Sequence, residues 1–369
     1  MIKKVYLYYP SFEKGGATKV LINITNYFLK KKVNIYLISY RAKKKYFIRS
    51  KKLKIIKIKK IWYLGFLPMR WNLAIASMFK LYFFSRLQKD KSIIFSMQSH
   101  LLAILVSKIT NCKIVIRNSE EIFGATKYAD KKLIALIVLF LKIIFYNFAN
   151  HIIAISERSK NSLNKIVINK KKISLIYNPY LENIQKPKKK IKLNKNFSII
   201  SIGRFTKQKN FLGLINSIIN LSKKYNFVKL TIIGEGEQFP ILKNKIKNIK
   251  NIKLLKWNNN LSKYFKASNL FILNSYYEGL PNILIDAINY EVPSISTDVS
   301  GASDILMRNK GGTLVKVNDE KDLERKIELA IKNYPIFMRK IKIAKKNINR
   351  FTIKNIFLFE KLFNRMSKY

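Results

Sequence analysis

Glu278 and Asp286 stand eight residues apart in Ser275-Tyr276-Tyr277-Glu278-Gly279-Leu280-Pro281-Asn282-Ile283-Leu284-Ile285-Asp286-Ala287, directly after the apolar run Leu270-Phe271-Ile272-Leu273-Asn274. Strand, glycine turn and then Pro281 opening a helix is consistent local grammar, because proline is favoured at the first helical position. A helix N-terminus there presents unpaired N–H groups and the positive end of a dipole, which suit a phosphate. By itself this is a generic anion site. The two acids do not read as a glycosidase pair, whose carboxyl groups lie roughly 5 to 9.5 Å apart, because eight helical steps rise about 12 Å. Such a separation suits the two ends of one extended ligand with hydroxyls at its ends and phosphates between, the shape of a sugar diphosphonucleoside.

A second segment, Ser201-Ile202-Gly203-Arg204-Phe205-Thr206-Lys207-Gln208-Lys209-Asn210-Phe211, ends a strand in glycine and places cations before a helix. Arg204 supplies a planar fork for phosphate oxygens and Lys209 a mobile point charge, together able to neutralise a diphosphate leaving group. In so lysine-rich a chain a lone Lys says little, and the position beside Gly203-Arg204 says more. Gly15-Gly16 precede a helix and read either as a plain tight turn or as a place where backbone comes close to a ligand. His100, after a strand in Ser96-Met97-Gln98-Ser99-His100, reads as structural or as a residue on the site side, and His151 as packing. The sequence holds no Asp-x-Asp element and no His or carboxylate cluster with metal-ligand spacing. Neither a metal nor a cofactor is expected.

These residues need a scaffold, and the pattern of the chain supplies one. Short β-branched runs alternate with longer helical patterns at Lys4–Tyr9, Val33–Tyr40, Lys54–Ile58, Ser92–Met97, Lys113–Asn118, His151–Ser156 and Ile173–Asn178. The alternation restarts at Phe197–Gly203, Lys229–Gly234, Asn251–Trp257, Leu270–Asn274, Ser294–Thr297 and Thr313–Val317. It predicts βαβ units with buried parallel strands in two similar α/β halves. The polar, proline-bearing stretch between Asn178 and Asn196 reads as the exposed connection. Domains are therefore expected at residues 1–180 and 181–350, with an amphipathic helical tail from Tyr334 to Tyr369. Leu133 to Phe148, interrupted by Lys142, is too short to span a bilayer and reads as a helix buried against a sheet.

A chain of 369 residues with 48% apolar content can bury two cores, which excludes general disorder. Cys112 is the single cysteine, so no intramolecular disulfide forms, and it reads as a packing residue. The N-terminal apolar run is shorter than a signal-peptide core, and a reducing cytoplasm is the expected compartment. The net charge of +53 invites nucleic-acid or anionic-membrane readings. Lysines spread over the whole length without a nucleic-acid module argue against specific nucleic-acid binding. An acidic membrane surface fits better, at roughly 1 kcal/mol per nearby Lys. The candidate contacts are the lysines from Lys43 to Lys60 and the aromatic stretch Trp62, Tyr63, Phe66, Trp71, Phe79, Tyr82, Phe83 and Phe84; the alternative is an ordinary amphipathic helix covered by the fold.

Gly203-Arg204 with Lys209, followed by Glu278-Gly279-Leu280-Pro281-Asn282 with Asp286, resembles glycosyltransferase family 4, the retaining enzymes of GT-B architecture. The resemblance extends over Gly15-Gly16-Ala17, Ile155-Ser156-Glu157, Tyr177-Asn178-Pro179, Ile233-Gly234-Glu235-Gly236 and Ser296-Thr297-Asp298 with Gly301, nearly the whole chain. It implies two Rossmann-like domains facing across a cleft, residues 1–180 on the acceptor side and 181–350 on the nucleotide-sugar side, with a helix over 351–369 returning to the first. It further implies that Arg204 and Lys209 bind the diphosphate, that Glu278 contacts the transferred sugar, and that Asp286 holds the ribose. The amides of Gly279, Leu280, Pro281 and Asn282 would line the phosphates and sugar, Gly15 and Gly16 would approach from the other domain, and Gly203 would open the cationic turn. Three departures stand out: Asp286 replaces the usual Glu, Lys256 stands where a glycine is common near the base, and Asn118 lies where many relatives have a histidine. Asn118 and His100 are the acceptor-side candidates. The expected activity is retaining transfer of a hexose or N-acetylhexosamine from a nucleotide sugar, UDP-linked, to a surface glycan or lipid-linked saccharide at the inner membrane face. Rival readings are a sugar-nucleotide epimerase of the same shape and a non-catalytic membrane- or polyanion-binding protein.

Overall fold

The computed structural model describes residues 2–13, 15–86, 92–186, 196–258 and 260–368. Of the segments read above, residues 187–195 of the connecting stretch, the Tyr63 side chain and Tyr369 of the tail lie outside that description. The chain divides into two compact units: Met1–Ile122, Ala129–Glu182 and Phe351–Tyr369 make unit 1, while Phe123–Tyr128 and Asn183–Arg350 make unit 2.

Unit 1 is built on strands β1 (Lys4–Ser11), β2 (Asn34–Tyr40), β3 (Leu53–Lys57), β4 (Ser92–Ser96), β5 (Lys113–Asn118), β6 (His151–Ala154) and β7 (Ile173–Leu175). They form a parallel sheet in the order β3-β2-β1-β4-β5-β6-β7. β4 and β6 are buried throughout, which is why their sequences are apolar on both faces rather than alternating. Helices α1 (Gly16–Lys30), α2 (Met69–Arg86), α3 (His100–Thr110), α5 (Lys132–Phe145) and α6 (Glu157–Ile166) follow its strands, while the short α4 (Ile122–Lys127) lies almost wholly in the segment that groups with unit 2. Ser156 caps α6 by accepting the amide of Ser159. His151 and Cys112 are both buried, in keeping with packing roles.

Unit 2 carries β8 (Phe197–Ile202), β9 (Val228–Ile233), β10 (Ile252–Leu255), β11 (Leu270–Leu273), β12 (Ser294–Thr297) and β13 (Thr313–Val315), parallel in the order β10-β9-β8-β11-β12-β13. Its helices are α7 (Phe211–Lys224), α8 (Phe239–Lys245), α9 (Ser262–Ala267), α10 (Asn282–Asn289), α11 (Ala302–Ile305), α12 (Glu320–Lys332) and α13 (Tyr334–Lys346). Every strand segment expected from the sequence has its counterpart, and the two sheets are the Rossmann-like pair anticipated.

Three expectations need correction, and the two readings of the aromatic stretch each hold in part. The helix around Leu133–Phe148 is not buried: α5 has no buried residue, and Leu133, Leu136, Ile137, Phe140 and Ile144 face solvent. Its opposite side, with Leu139 and Phe145, packs on the core, so the helix is apolar on both sides and its composition gave no sign of which side is covered. The aromatic stretch is only partly covered. Tyr82 and Phe84 pack on the core, whereas Trp62, Phe66, Trp71, Phe79 and Phe83 are exposed. The tail is not one helix either: α13 stops at Lys346, tight turns span Ile348–Phe351 and Ile353–Ile356, and α14 runs from Phe357 to Lys368. The break falls where Thr352 bridges to Leu181 and both Tyr180 and Leu181 donate to the Phe351 carbonyl. Lastly, Pro281 does not open α10 but caps it in extended conformation (φ −75°, ψ 92°), so the helix begins at Asn282. Only four of the eight steps from Glu278 to Asp286 are helical, a rise of about 6 Å, and the rest is loop.

Candidate active site

In unit 2 the strand order reverses about β8, with β9 and β10 on one side and β11 to β13 on the other. Loops leaving the carboxyl ends of β8 and β11 diverge at this switch point, where open α/β sheets leave a crevice for ligands. The two motif segments are these two loops. They are stitched together: the Tyr276 amide donates to the Gln208 carbonyl at 2.8 Å, and the Gln208 side-chain amide donates to the Tyr277 carbonyl at 2.8 Å. The buried Asn274 amide holds the Asn210 carbonyl at 3.1 Å. Asn210 itself adopts the left-handed conformation that Asn tolerates and caps α7 by accepting from Gly213.

The loops meet in an ion pair. Lys209 Nζ bonds Glu278 Oε1, and Ser275 Oγ donates to the same oxygen at 2.8 Å. Both charged side chains are largely covered, with 13% and 11% of their surface exposed, so the attraction is poorly screened. The Lys209 stem runs over Gly203, where a Cβ would stand 3.3 Å from Lys209 Cε. Arg204 is exposed just beyond. Past Glu278, Gly279, Leu280 and Pro281 are buried, and Asn282 and the half-buried Asp286 lie on α10, whose first turn has no side-chain cap. The arrangement thus gathers a cationic turn, an acid and an uncapped helix start, the elements that grip a polyhydroxylated anion.

Other residues shape this site without having been assigned a role from the sequence. Gly301 has φ +73°, and a Cβ there would collide with the Gly279 carbonyl and Leu280. Gly234 and Gly236 press equally closely on Gly203 and Phe205, whose amide donates to the Glu235 carbonyl at 2.8 Å. Gly234, Glu235, Gly236, Phe239 and Lys256 line a cavity of about 240 Å³, so the unusual Lys256 faces a recess next to the cationic turn. Tyr128 stacks on Tyr276 with ring centroids 5.3 Å apart. Burial first, then the Glu320 carboxylate, hold the Tyr276 phenol above its ordinary pKa. Gly234, Gly236 and Gly301 lay within segments that carried the resemblance; Tyr128 carried no signal, because its role rests on a contact between distant segments.

In unit 1 the remaining candidates also gather at the carboxyl ends of strands. Gly15 caps α1 with no side chain, leaving the first turn without a side-chain acceptor. His100 opens α3 after β4, its Nδ1 2.9 Å from Ser96 Oγ and its ring 6.2 Å from that of Tyr146. Burial, then the charges of Lys142 and Arg117, push its pKa down to about 3, so the ring is neutral near pH 7. Asn118 ends β5 fully buried, and its amide donates to the Glu120 carbonyl and to Ser159 Oγ at 2.6 and 3.0 Å. Its side chain is committed to the fold. Arg117 beside it is buried too, reaching Asn178 Oδ1, and burial lowers its pKa to about 10.

Two family models match the chain: "Glycosyltransferase Family 4" over residues 14–180 and "Glycosyl transferases group 1" over residues 182–347. An uncharacterized glycosyltransferase of Methanocaldococcus jannaschii is 34% identical over 180 residues, covering 44% of this chain and 43% of that relative. The GalNAc-alpha-(1->4)-GalNAc-alpha-(1->3)-diNAcBac-PP-undecaprenol alpha-1,4-N-acetyl-D-galactosaminyltransferase of Campylobacter jejuni is 25% identical over 367 residues, covering 96% of both chains. Among solved structures, Anabaena Alr3699/HepE in complex with UDP and glucose has a TM-score of 0.75 at 16% identity, covering 98% of this chain and 99% of that one. That likeness establishes the GT-B fold.

Proposed function

We propose that this chain, which belongs to the GT-B glycosyltransferases described by the family 4 and group 1 models, transfers a hexose or N-acetylhexosamine from a UDP-linked donor to a lipid-linked or surface saccharide, with retention at the anomeric carbon. The observation that carries the reading is the meeting of the Gly203–Asn210 and Asn274–Asn282 loops at the β8/β11 switch point around the Lys209–Glu278 pair. In the proposed reaction the bond from the anomeric carbon to the diphosphate oxygen breaks, a bond to an acceptor hydroxyl oxygen forms, and the hydroxyl proton passes to the leaving diphosphate. Charge develops on that diphosphate. Arg204, Lys209 and the amides at the start of α10 stabilise it, which is where preorganised donors contribute most to rate. Glu278 orients hydroxyls of the transferred sugar and Asp286 holds the ribose.

The acceptor class draws support from the undecaprenol-linked substrate in the name of the C. jejuni relative, and the donor from the UDP in the Anabaena complex. With cationic side chains answering the diphosphate, the reaction needs no divalent ion. Work on such an acceptor places the protein at the anionic inner face of the cell membrane as a peripheral component. The test is nucleotide release from a panel of UDP-sugars with lipid-linked saccharides, with the anomeric configuration of the product read by NMR. Release should persist in EDTA and fall about 100-fold in Glu278→Ala and Arg204→Ala. Undiminished release in those two variants would remove the site assignment, and an inverted product would remove the retaining mechanism.

A further inference from the structure

Helix α5 turns Leu133, Leu136, Ile137, Phe140 and Ile144 outward, spaced at three, four, seven and eleven residues from the first, so they form one stripe along the helix. Leu133 is 72% exposed and Phe140 61%, a continuous apolar face on the outside of a folded unit. The neighbouring helices extend it. α2 packs against α3 and α3 against α5, and both present large apolar residues to solvent, Phe79 and Phe83 on α2 and Leu105 and Ile109 on α3. Among the described residues no helix is long and apolar enough to cross a membrane. The fourteen residues of α5 rise only about 21 Å against a hydrocarbon core of about 30 Å.

The charge around this layer selects its occupant. Asp90 is the only acidic residue in the sequence between Glu13 and Glu120, and none occurs between Asp130 and Glu157. Exposed Lys131 and Lys132 lead into α5, Lys108 lies 5.5 Å from the Phe148 ring centroid, and Lys80 and Arg86 flank the exposed rings of α2. Glu120 is paired with Lys142. A second copy of a chain carrying +53 would meet strong repulsion on such a face. An apolar stripe bordered by long cations is instead what lies flat in a bilayer interface, burying its apolar side among acyl chains while lysines reach anionic headgroups.

We infer that the outer face of α5, continued by α3 and α2, is the docking surface by which unit 1 sits on an anionic phospholipid bilayer. The inference rests on the reading above that the acceptor is lipid-linked, and it adds the part of the molecule that reaches it. It moves the main contact from the Lys43–Lys60 stretch to an inserting helix face.

The full-length protein is sedimented with phosphatidylcholine vesicles made with or without phosphatidylglycerol. Expected are binding only with phosphatidylglycerol, at least a tenfold loss in the double variant Ile137→Asn/Phe140→Asn, and a smaller, salt-dependent loss in Lys131→Glu/Lys132→Glu. Both residues of the first pair are exposed, so an unchanged melting temperature checks the fold. Should that variant misfold, a spin label on Ile137→Cys, compared with one on Lys243→Cys of α8, gives the answer by its accessibility to oxygen against a water-soluble quencher. Undiminished vesicle binding by the variants, binding indifferent to phosphatidylglycerol, or a wild-type dimer that Phe140→Asn dissociates would each overturn the assignment. A melting-temperature shift by UDP, measured without lipid, tests the donor-site reading separately, so either can fail while the other stands.

Discussion

Lys209 and Glu278 hold each other, and that pairing makes a prediction sharper than two separate roles would. In a largely covered pair, removing one partner strands the other's charge, so Glu278→Ala and Lys209→Met should each lose more stability than their combination. A double-mutant cycle on melting temperature should return a coupling of about 1 kcal/mol or more. On activity, each single variant should lower kcat/KM by about 100-fold, and additive effects in the cycle would show that the pair does not act as a unit. The two histidines give a second test. His100 and His151 are held by burial, and then by neighbouring cations, at about 3 and about 4. Both folded values lie below the unfolded one, so the unfolded chain binds protons first. The stability they contribute is complete above pH 6.5 and is lost as pH falls towards their folded values. Between pH 7 and pH 5 the loss should be about 2 kcal/mol per histidine. His100→Gln and His151→Gln should each flatten that part of the stability-against-pH curve, and a slope identical to wild type would refute it.

At the scale of elements, the apolar runs between turn residues were enough to locate the strands, because a buried parallel strand has no reason to alternate. The motif loops were legible for a similar reason: glycine and proline report backbone demands that are local. What the sequence could not convey was anything decided by a partner far away in the chain. Pro281 marked a helix start, but whether it caps or opens α10 depends on the extended backbone the loop imposes. The bare side of α5 was illegible because a helix apolar all round does not declare which side is covered. Gly301 belongs here too, since its place in the chain says turn while its contact with Gly279 says site. Gly301→Ala forces a Cβ into that contact at a positive φ and should cost about 1–3 kcal/mol of stability. It should also raise KM for the donor by moving the Gly279–Asn282 loop. A variant with wild-type KM would mean that the loop does not contact the donor.

For the molecule as a whole, the excess of lysine is a load the fold carries. A net charge of +53 repels itself, and exposed charges feel that repulsion over a Debye length that shrinks from about 30 Å at 0.01 M salt to about 8 Å at 0.15 M. Melting temperature should therefore climb by several degrees over that range of sodium chloride, measured by differential scanning fluorimetry. A flat response would imply that the lysines are already neutralised within the structure.

The division of the chain carries a lesson for recombination. Unit 1 is completed by Phe351–Tyr369, whose Phe363 stacks on Phe28 at 5.3 Å and meets Phe95 at 5.2 Å, while Phe123–Tyr128 belongs with unit 2. A chimera that borrows the second half of a relative by a single splice would bring along a foreign terminal helix, and with it an ill-fitting ring against Phe28. Swapping specificity between members therefore calls for exchanging residues 183–350 together with Phe123–Tyr128, while leaving the host its own last nineteen residues.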